Sequence, residues 1–281
     1  MYLLTRLRTL ASVTLALQLA GLPLAMPAAT GDKPAPSATP DTVLTTMKTE
    51  LNRAKLDLAK SDPAPYFLSY TVYDQDQILI AAAYGGILSN STTRRRSADV
   101  TMRVGSPELD NTHGQSRGSG MISGSLPLKD DPDAEARVLW ELTDRAYKRA
   151  APAYLNVKTN TAVQAEEEDK SPDFSKDAPQ VHVDAKLKEP PFDRSAWEAE
   201  VRRLSGAFRN YADVYYSTVM LQVSSSNSRT VNSEGTELAM PSATARLVIE
   251  AQTRAEDGMD LLRVETFQAP AASGLPPEKE L

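Results

Sequence analysis

From Tyr216 to Val223 apolar and polar residues alternate one for one, with Ser217, Val219, Leu221 and Val223 on one side and Tyr216, Thr218, Met220 and Gln222 on the other. A period of two belongs to a strand with two unlike faces, so this stretch demands a sheet. The same period returns at Ala245, Leu247, Ile249 and Ala251, and earlier at Val100, Met102 and Val104, which alternate with Thr101 and Arg103. Turn chemistry separates the later strands. Val231-Asn232-Ser233-Glu234-Gly235 and Asp257-Gly258 offer Asn and Gly, which accept the left-handed backbone that tight connections need. Near the front, residues 66–74, 78–88 and 97–104 read as three strands of an antiparallel meander.

Helical spacing alternates with these strands. Leu44, Met47, Leu51, Ala54 and Leu58 form one apolar stripe after Asp41, ended by Pro63 and Pro65. Asp131-Pro132 supplies a cap and a proline at the first helical position, followed by Ala134, Val138, Leu139, Leu142 and Ala146; Pro152 is expected to bend or end that helix. Ser195 with Glu198 reads as a capping box ahead of Trp197, Val201, Leu204, Phe208 and Tyr211. Helices mixed with antiparallel strands make the fold class α+β, with helices packed on antiparallel sheets.

The chain divides in sequence as follows. Arg6 and Arg8, a mostly apolar run from Leu10 to Leu24, and small residues at Ala25, Ala28 and Ala29 read as a signal peptide over 1–29. Export to the periplasm or outside the cell follows, with no stable membrane insertion after cleavage. Residues 30–40, rich in Pro, Ala, Ser and Thr, read as a flexible leader. A first α/β domain is expected over 41–158 and an exposed linker over 159–191, around the acidic run Glu166–Asp169. A second helix with hairpins is expected over 192–281, continuing into a C-terminal half that this chain lacks. Residues 105–125, rich in Gly, Ser and Asn, read as a long surface loop with room for an irregular edge strand.

Several chemistries are excluded or weakened. With no cysteine in 281 residues there is no disulfide, thiolate metal site or cysteine nucleophile. A net charge of -6 gives no basic field for nucleic acid. A zinc hydrolase needs several converging ligands, and the two histidines, His113 and His182, lie far apart in sequence outside any HExxH or HExxxH context; Asp110 is the nearest carboxylate that could help His113. Gly118-Ser119-Gly120 lacks the strand-turn-helix setting of a nucleophilic serine, and Gly114–Gly124 lacks the lysine of a phosphate loop. Arg94-Arg95-Arg96 could grip an anion, but at the start of a strand it reads better as a solvated edge that discourages pairing. No catalytic, cofactor-binding or metal-binding residue is assigned.

Five segments together carry a resemblance: Pro65-Tyr66-Phe67-Leu68-Ser69-Tyr70-Thr71-Val72, Leu109-Asp110-Asn111-Thr112-His113, Leu126-Pro127-Leu128-Lys129-Asp130-Asp131-Pro132, Asp144-Arg145-Ala146-Tyr147-Lys148-Arg149 and Val231-Asn232-Ser233-Glu234-Gly235. In this order the chain resembles the N-terminal and early middle regions of TldD/PmbA proteins, a metallopeptidase-related family, and especially their exported relatives. The resemblance implies a scaffold that helps form a homo- or hetero-dimer and a cleft for a peptide or protein substrate. It places the family's zinc and its His-Glu-x-x-x-His helix in a C-terminal region, and that motif is absent from this chain.

Overall fold

A computed structural model describes residues 41–114, 120–163, 171–185 and 192–276, all within the compact unit Thr39–Leu281. The stretches read as signal peptide (1–29) and leader (30–40), the acidic run Glu166–Asp169 and Gly118-Ser119 lie outside the described residues. The elements run α1 (Thr42–Leu58), β1 (Pro65–Ala83), β2 (Gly86–Val104), β3 (Met121–Ser125), α2 (Pro132–Val163), β4 (Val181–Val183), α3 (Arg194–Gly206), a 3-10 turn (Ala207–Asn210), β5 (Val214–Asn232), β6 (Glu237–Arg254) and β7 (Asp260–Ala269).

One seven-stranded sheet, ordered β3-β2-β1-β5-β6 with β4 and β7 both on the outer side of β6, carries all three helices. Every pairing is antiparallel except the three-residue contact of β4 with β6. The fold is therefore α+β, as expected. The sequences before and after 159–191 do not form separate sheets: β1 and β5 pair side by side from Ser69↔Asn232 to Ala82↔Val219.

The front meander differs from the expectation. Residues 66–74 and 78–88 are one 19-residue strand and the start of the next, because the chain reverses only at Tyr84-Gly85, both at positive φ (47° and 76°). The polar stretch Asp74–Gln77 breaks the apolar pattern without breaking the strand. On the helical side, Asp74 instead meets Arg96 across the ladder.

Period two puts all helix-facing residues on one parity. Leu68, Tyr70 and Val72 of β1 pair with Met102, Val100 and Ala98 of β2 and lie under α1 and α2 in one core. Ile80 and Ala82, ten or so residues along the same face, join Val219, Leu221, Ala245 and Leu247 under Val201 of α3 in a second core. Full burial of each Leu, Ile or Val here stabilises the fold by about 1.5–3 kcal/mol, so two clusters, one under α1 and α2 and one under α3, hold opposite ends of the long strands.

The helix starts follow short-range chemistry. Asp41 Oδ1 accepts from Leu44 N at 3.0 Å, and Asp131 Oδ1 accepts from Ala134 N at 3.1 Å ahead of Pro132. At α3 the cap is Asp193, whose Oδ1 accepts from Ala196 N at 3.0 Å. The expected Ser195–Glu198 box does not form, since Glu198 is engaged by Asn90 and Arg202. Helix α2 runs through Pro152 for 32 residues. Ala146 and Ala150 before the proline and Tyr154 after it all pack on the first core, which outweighs one lost backbone hydrogen bond.

Candidate functional site

A cluster of buried polar groups lies at the end of β2, where residues 105–114 fold back over α2. Gly105 turns the chain at φ 112°, and a Cβ there would sit 2.4 Å from Tyr154 Cε2 and 2.6 Å from the Leu109 carbonyl, so only glycine fits. Asn111 ties the returning loop to the strand: its Oδ1 accepts from Val104 N at 2.6 Å while its own N donates to Val104 O at 3.1 Å.

Asp110, fully buried, is the hub. Its Oδ1 accepts from Thr112 N (2.7 Å) and Thr112 Oγ1 (2.6 Å), and its Oδ2 accepts from Tyr66 OH (2.7 Å) and Arg103 Nη1 (2.8 Å). Burial alone would raise its pKa, but the hydrogen bonds from Thr112, Arg103 and Tyr66 outweigh it and hold the carboxyl below its ordinary value. Burial, then the bond to Asp110, pushes the Tyr66 phenol well up, so it stays a donor.

Asp173 and Phe174 complete the cluster from within the stretch expected to be a solvated linker. Asp173 is 1% exposed at its side chain; its Oδ2 accepts from Asp110 N at 2.9 Å and its Oδ1 meets His113 Nδ1 at 2.7 Å. The Phe174 ring lies 4.5 Å beneath the Arg103 guanidinium and 4.9 Å from the Phe67 ring. Beside this network a cavity of about 310 Å³ opens between the loop and α2, lined by Asn111, Thr112, His113, Gly120, Arg149 and Asn156 among others.

The structure thus brings His113 and Asp110 onto one loop but commits the Asp110 oxygens to Thr112, Arg103 and Tyr66. His182 is not brought in. It sits on β4, exposed and 3.1 Å from Asp184, with β1, β5 and β6 between β4 and β2. At about 4.8 Å per strand, that puts β4 roughly 19 Å from β2. No group of three or more His, Asp or Glu residues is arranged to hold a metal ion among the described residues.

The Arg94-Arg95-Arg96 run corrects the reading as a solvated edge. Arg94 and Arg95 are exposed beside Asp76 and Gln75, but the Arg96 side chain is 1% exposed, with Nη2 at 2.7 Å from Asp74 and 2.8 Å from Asp130, and Nη1 at 3.0 Å from Glu135. Parity explains it: Arg96 shares the helical face with Ala98 and Val100, below the first turn of α2. Nearby, Arg229 donates to Asp41 Oδ2 at 2.6 Å and so fastens the start of α1 to β5. Neither Asp173 nor Arg96 was picked out as a buried partner in sequence; an aspartate next to an aromatic in a polar stretch, and an arginine in phase with an apolar period, were the available signals.

No family model matches the chain, and no curated protein does. Solved structures do. A proposed modulator of DNA gyrase from Bacteroides thetaiotaomicron aligns over 82% of this chain and 46% of its own, at 9% identity and a TM-score of 0.51. The chain shares its fold. TldE from Thermococcus kodakarensis aligns over 80% of this chain and 43% of its own at 12% identity, with a TM-score of 0.46. A proposed gyrase modulator from Thermotoga maritima aligns over 83% and 45% at 12% identity, with a TM-score of 0.45. The chain spans less than half the length of each of these proteins. The fold assignment rests on the Bacteroides structure.

Proposed function

We propose that this chain is the scaffold, dimerisation and substrate-cleft portion of a TldD/PmbA-type metallopeptidase system, exported to the cell envelope and without a catalytic metal motif of its own. The observation that carries the reading is the shared fold, which takes in 82% of this chain but only 46% of the Bacteroides protein. The five sequence segments that resemble the family support it. The loop at 105–114, pinned by Asp110 and Asp173, supplies a rigid wall beside the cavity at α2.

The test is assembly. Mixed with a TldD/PmbA chain that carries the zinc helix, this chain should form a complex of defined mass by light scattering. Two species that elute separately at micromolar concentration would overturn the reading. A second reading, a stand-alone exported binding or assembly protein, is favoured by the exposed apolar side chains of β7, Leu261, Leu262 and Val264.

A further inference from the structure

The turn between β1 and β2 is shaped around an arginine. Tyr84 is the one non-glycine residue at positive φ among the described residues, at 47°, and Gly85 follows at 76°. Such a backbone is costly for a bulky residue and persists only where its surroundings fix it. Here they do: Tyr84 OH donates to Val214 O at 2.9 Å, and Gly85 N donates to Ser205 Oγ at 3.0 Å. Across the turn lies Arg209, from the 3-10 turn after α3, whose Nε donates to the Tyr84 carbonyl at 2.6 Å. A Cβ on Gly85 would stand 2.7 Å from Arg209 Nη2 and 3.0 Å from its Cζ, so the guanidinium takes the space that any other residue would fill.

Beside Arg209 a cavity of about 620 Å³ opens along one face of α3, lined by Gly85, Ser195, Ala199, Arg202 and Gly206 among others. Its other charges are spent on one another. Arg202 donates to Glu198 Oε1 at 2.8 Å, and Glu198 Oε2 accepts from Asn90 at 2.8 Å, so both oxygens of that carboxylate are engaged. Arg203 turns Nε and Nη2 to Glu200. Arg209 is the charge left over. It is exposed, has no carboxylate partner among the described residues, and has given up Nε alone, to a neutral carbonyl. The cavity wall therefore carries one uncompensated positive charge in a chain of net charge -6.

We infer that the cavity between α3 and the β1–β2 turn is a binding site for a small monocarboxylate, held by the Nη1/Nη2 end of the Arg209 fork. Two parallel N–H donors of fixed geometry match the two oxygens of a carboxylate. One surplus charge suits a monoanion, and Glu198 on the same wall disfavours a dianion such as phosphate. The carboxylate group is the same on a free acid and at the C-terminus of a peptide. From Phe67, beside the loop at 105–114, the site lies roughly 55 Å along β1. It goes beyond the scaffold reading, and neither depends on the other.

Titration of the isotope-labelled chain, followed by nuclear magnetic resonance, tests it with N-acetyl-dialanine, the C-terminal amide of that peptide, and hexanoate. The free acid should shift the amides of Gly85, Ser205 and Gly206 and the Nε–H of Arg209, with an affinity on the order of millimolar, ordinary for a ligand of its size. The amide should not. Hexanoate that binds as well as the peptide acid makes the carboxylate alone the ligand; hexanoate that binds more than about tenfold weaker makes it a peptide C-terminus, and either supports the inference. Arg209→Gln, at an exposed position, should weaken binding by at least about tenfold. Arg209→Lys keeps the charge without the fork and should recover only part of that loss. Ala199→Glu, also exposed, sets a carboxylate inside the cavity and should remove binding with Arg209 in place. Urea unfolding checks that each variant is folded.

No shift at about 20 mM ligand overturns the inference, as this is well above the expected affinity. So do equal shifts from the acid and its amide, tighter binding of inorganic phosphate than of either carboxylate, or binding within about twofold of the parent in Arg209→Gln. None of these results bears on whether the chain assembles with a zinc-bearing TldD/PmbA chain.

Discussion

Replacing Arg96 with methionine should be among the most damaging single changes to the described fold. The substitution keeps the length of the side chain and its packing under α2, but it strips the counter-ion from two carboxylates that are themselves 2% and 1% exposed, Asp74 and Glu135, and from the outer carboxylate of Asp130. Breaking a buried pair by removing one partner typically costs about 3–5 kcal/mol, because the remaining charge stays desolvated. Against a total stability of about 5–15 kcal/mol that is a large fraction, and at roughly 2–4 °C per kcal/mol for a unit of this size it lowers Tm by about 6–20 °C. Urea unfolding followed by circular dichroism reads it directly. The cause can be isolated by adding Asp74→Asn and Glu135→Gln to Arg96→Met: with the stranded charges gone, most of the loss should return. If Arg96→Met unfolds within about 0.5 kcal/mol of the parent, Arg96 is a solvated edge residue and the buried network is wrong.

The same network and the loop at 105–114 set further expectations. Burial, the largest influence on Glu135, raises its pKa despite Arg96, so its contribution to stability is present below the ordinary glutamate range and declines as pH rises through the folded value; Glu135→Gln should abolish that decline, and its stability relative to the parent should rise from pH 4 to pH 8 in parallel urea titrations. Asp110 is shifted the other way: its contribution is present above the ordinary aspartate value and lost as pH falls through its lower folded value, so Asp110→Asn should cost about 1–3 kcal/mol at pH 7 and flatten the acid limb of the stability curve below about pH 4. Gly105→Ala should cost about 1–3 kcal/mol from overpacking against Tyr154, plus the strain of φ 112°, read as faster proteolysis within residues 105–114. Asp173→Ala should remove one partner of the His113 ring and the acceptor of the Asp110 amide together, seen as loss of amide-exchange protection at Asp110.

How much of this was legible in the sequence depended on the range of the interaction. The cap at Asp131-Pro132 and the turns at Asn232–Gly235 and Asp257-Gly258 are local chemistry and stand where the pattern put them, whereas the cap of α3 falls two residues before the expected Ser195, at Asp193. The strand faces were legible too, because Val219, Leu221, Ala245 and Leu247 keep period two against a single helical layer. What local pattern could not supply was the partner. Asp74–Gln77 looks like a break between strands until Arg96, Asn227 and the neighbouring ladders are present to pair it. Asp173 and Phe174 look solvated until Asp110, His113 and Arg103 arrive from more than fifty residues away. Pro152 looks like a helix end until the core on both sides of it is counted. The candidate site was the least legible part, since its hub is a carboxylate whose role is set entirely by donors from β1, β2 and its own loop.

The proposal that the account turns on is that this chain acts as a scaffold beside a polypeptide region that bears the zinc helix. The most direct measurement is zinc-dependent hydrolysis of a mixed peptide library by the purified chain, alone and after addition of a TldD/PmbA chain bearing the His-Glu-x-x-x-His helix. The account predicts no cleavage by the chain alone at any zinc concentration and unchanged behaviour in His113→Ala. Zinc-dependent cleavage by the chain alone, abolished by a chelator and by His113→Ala, would contradict it.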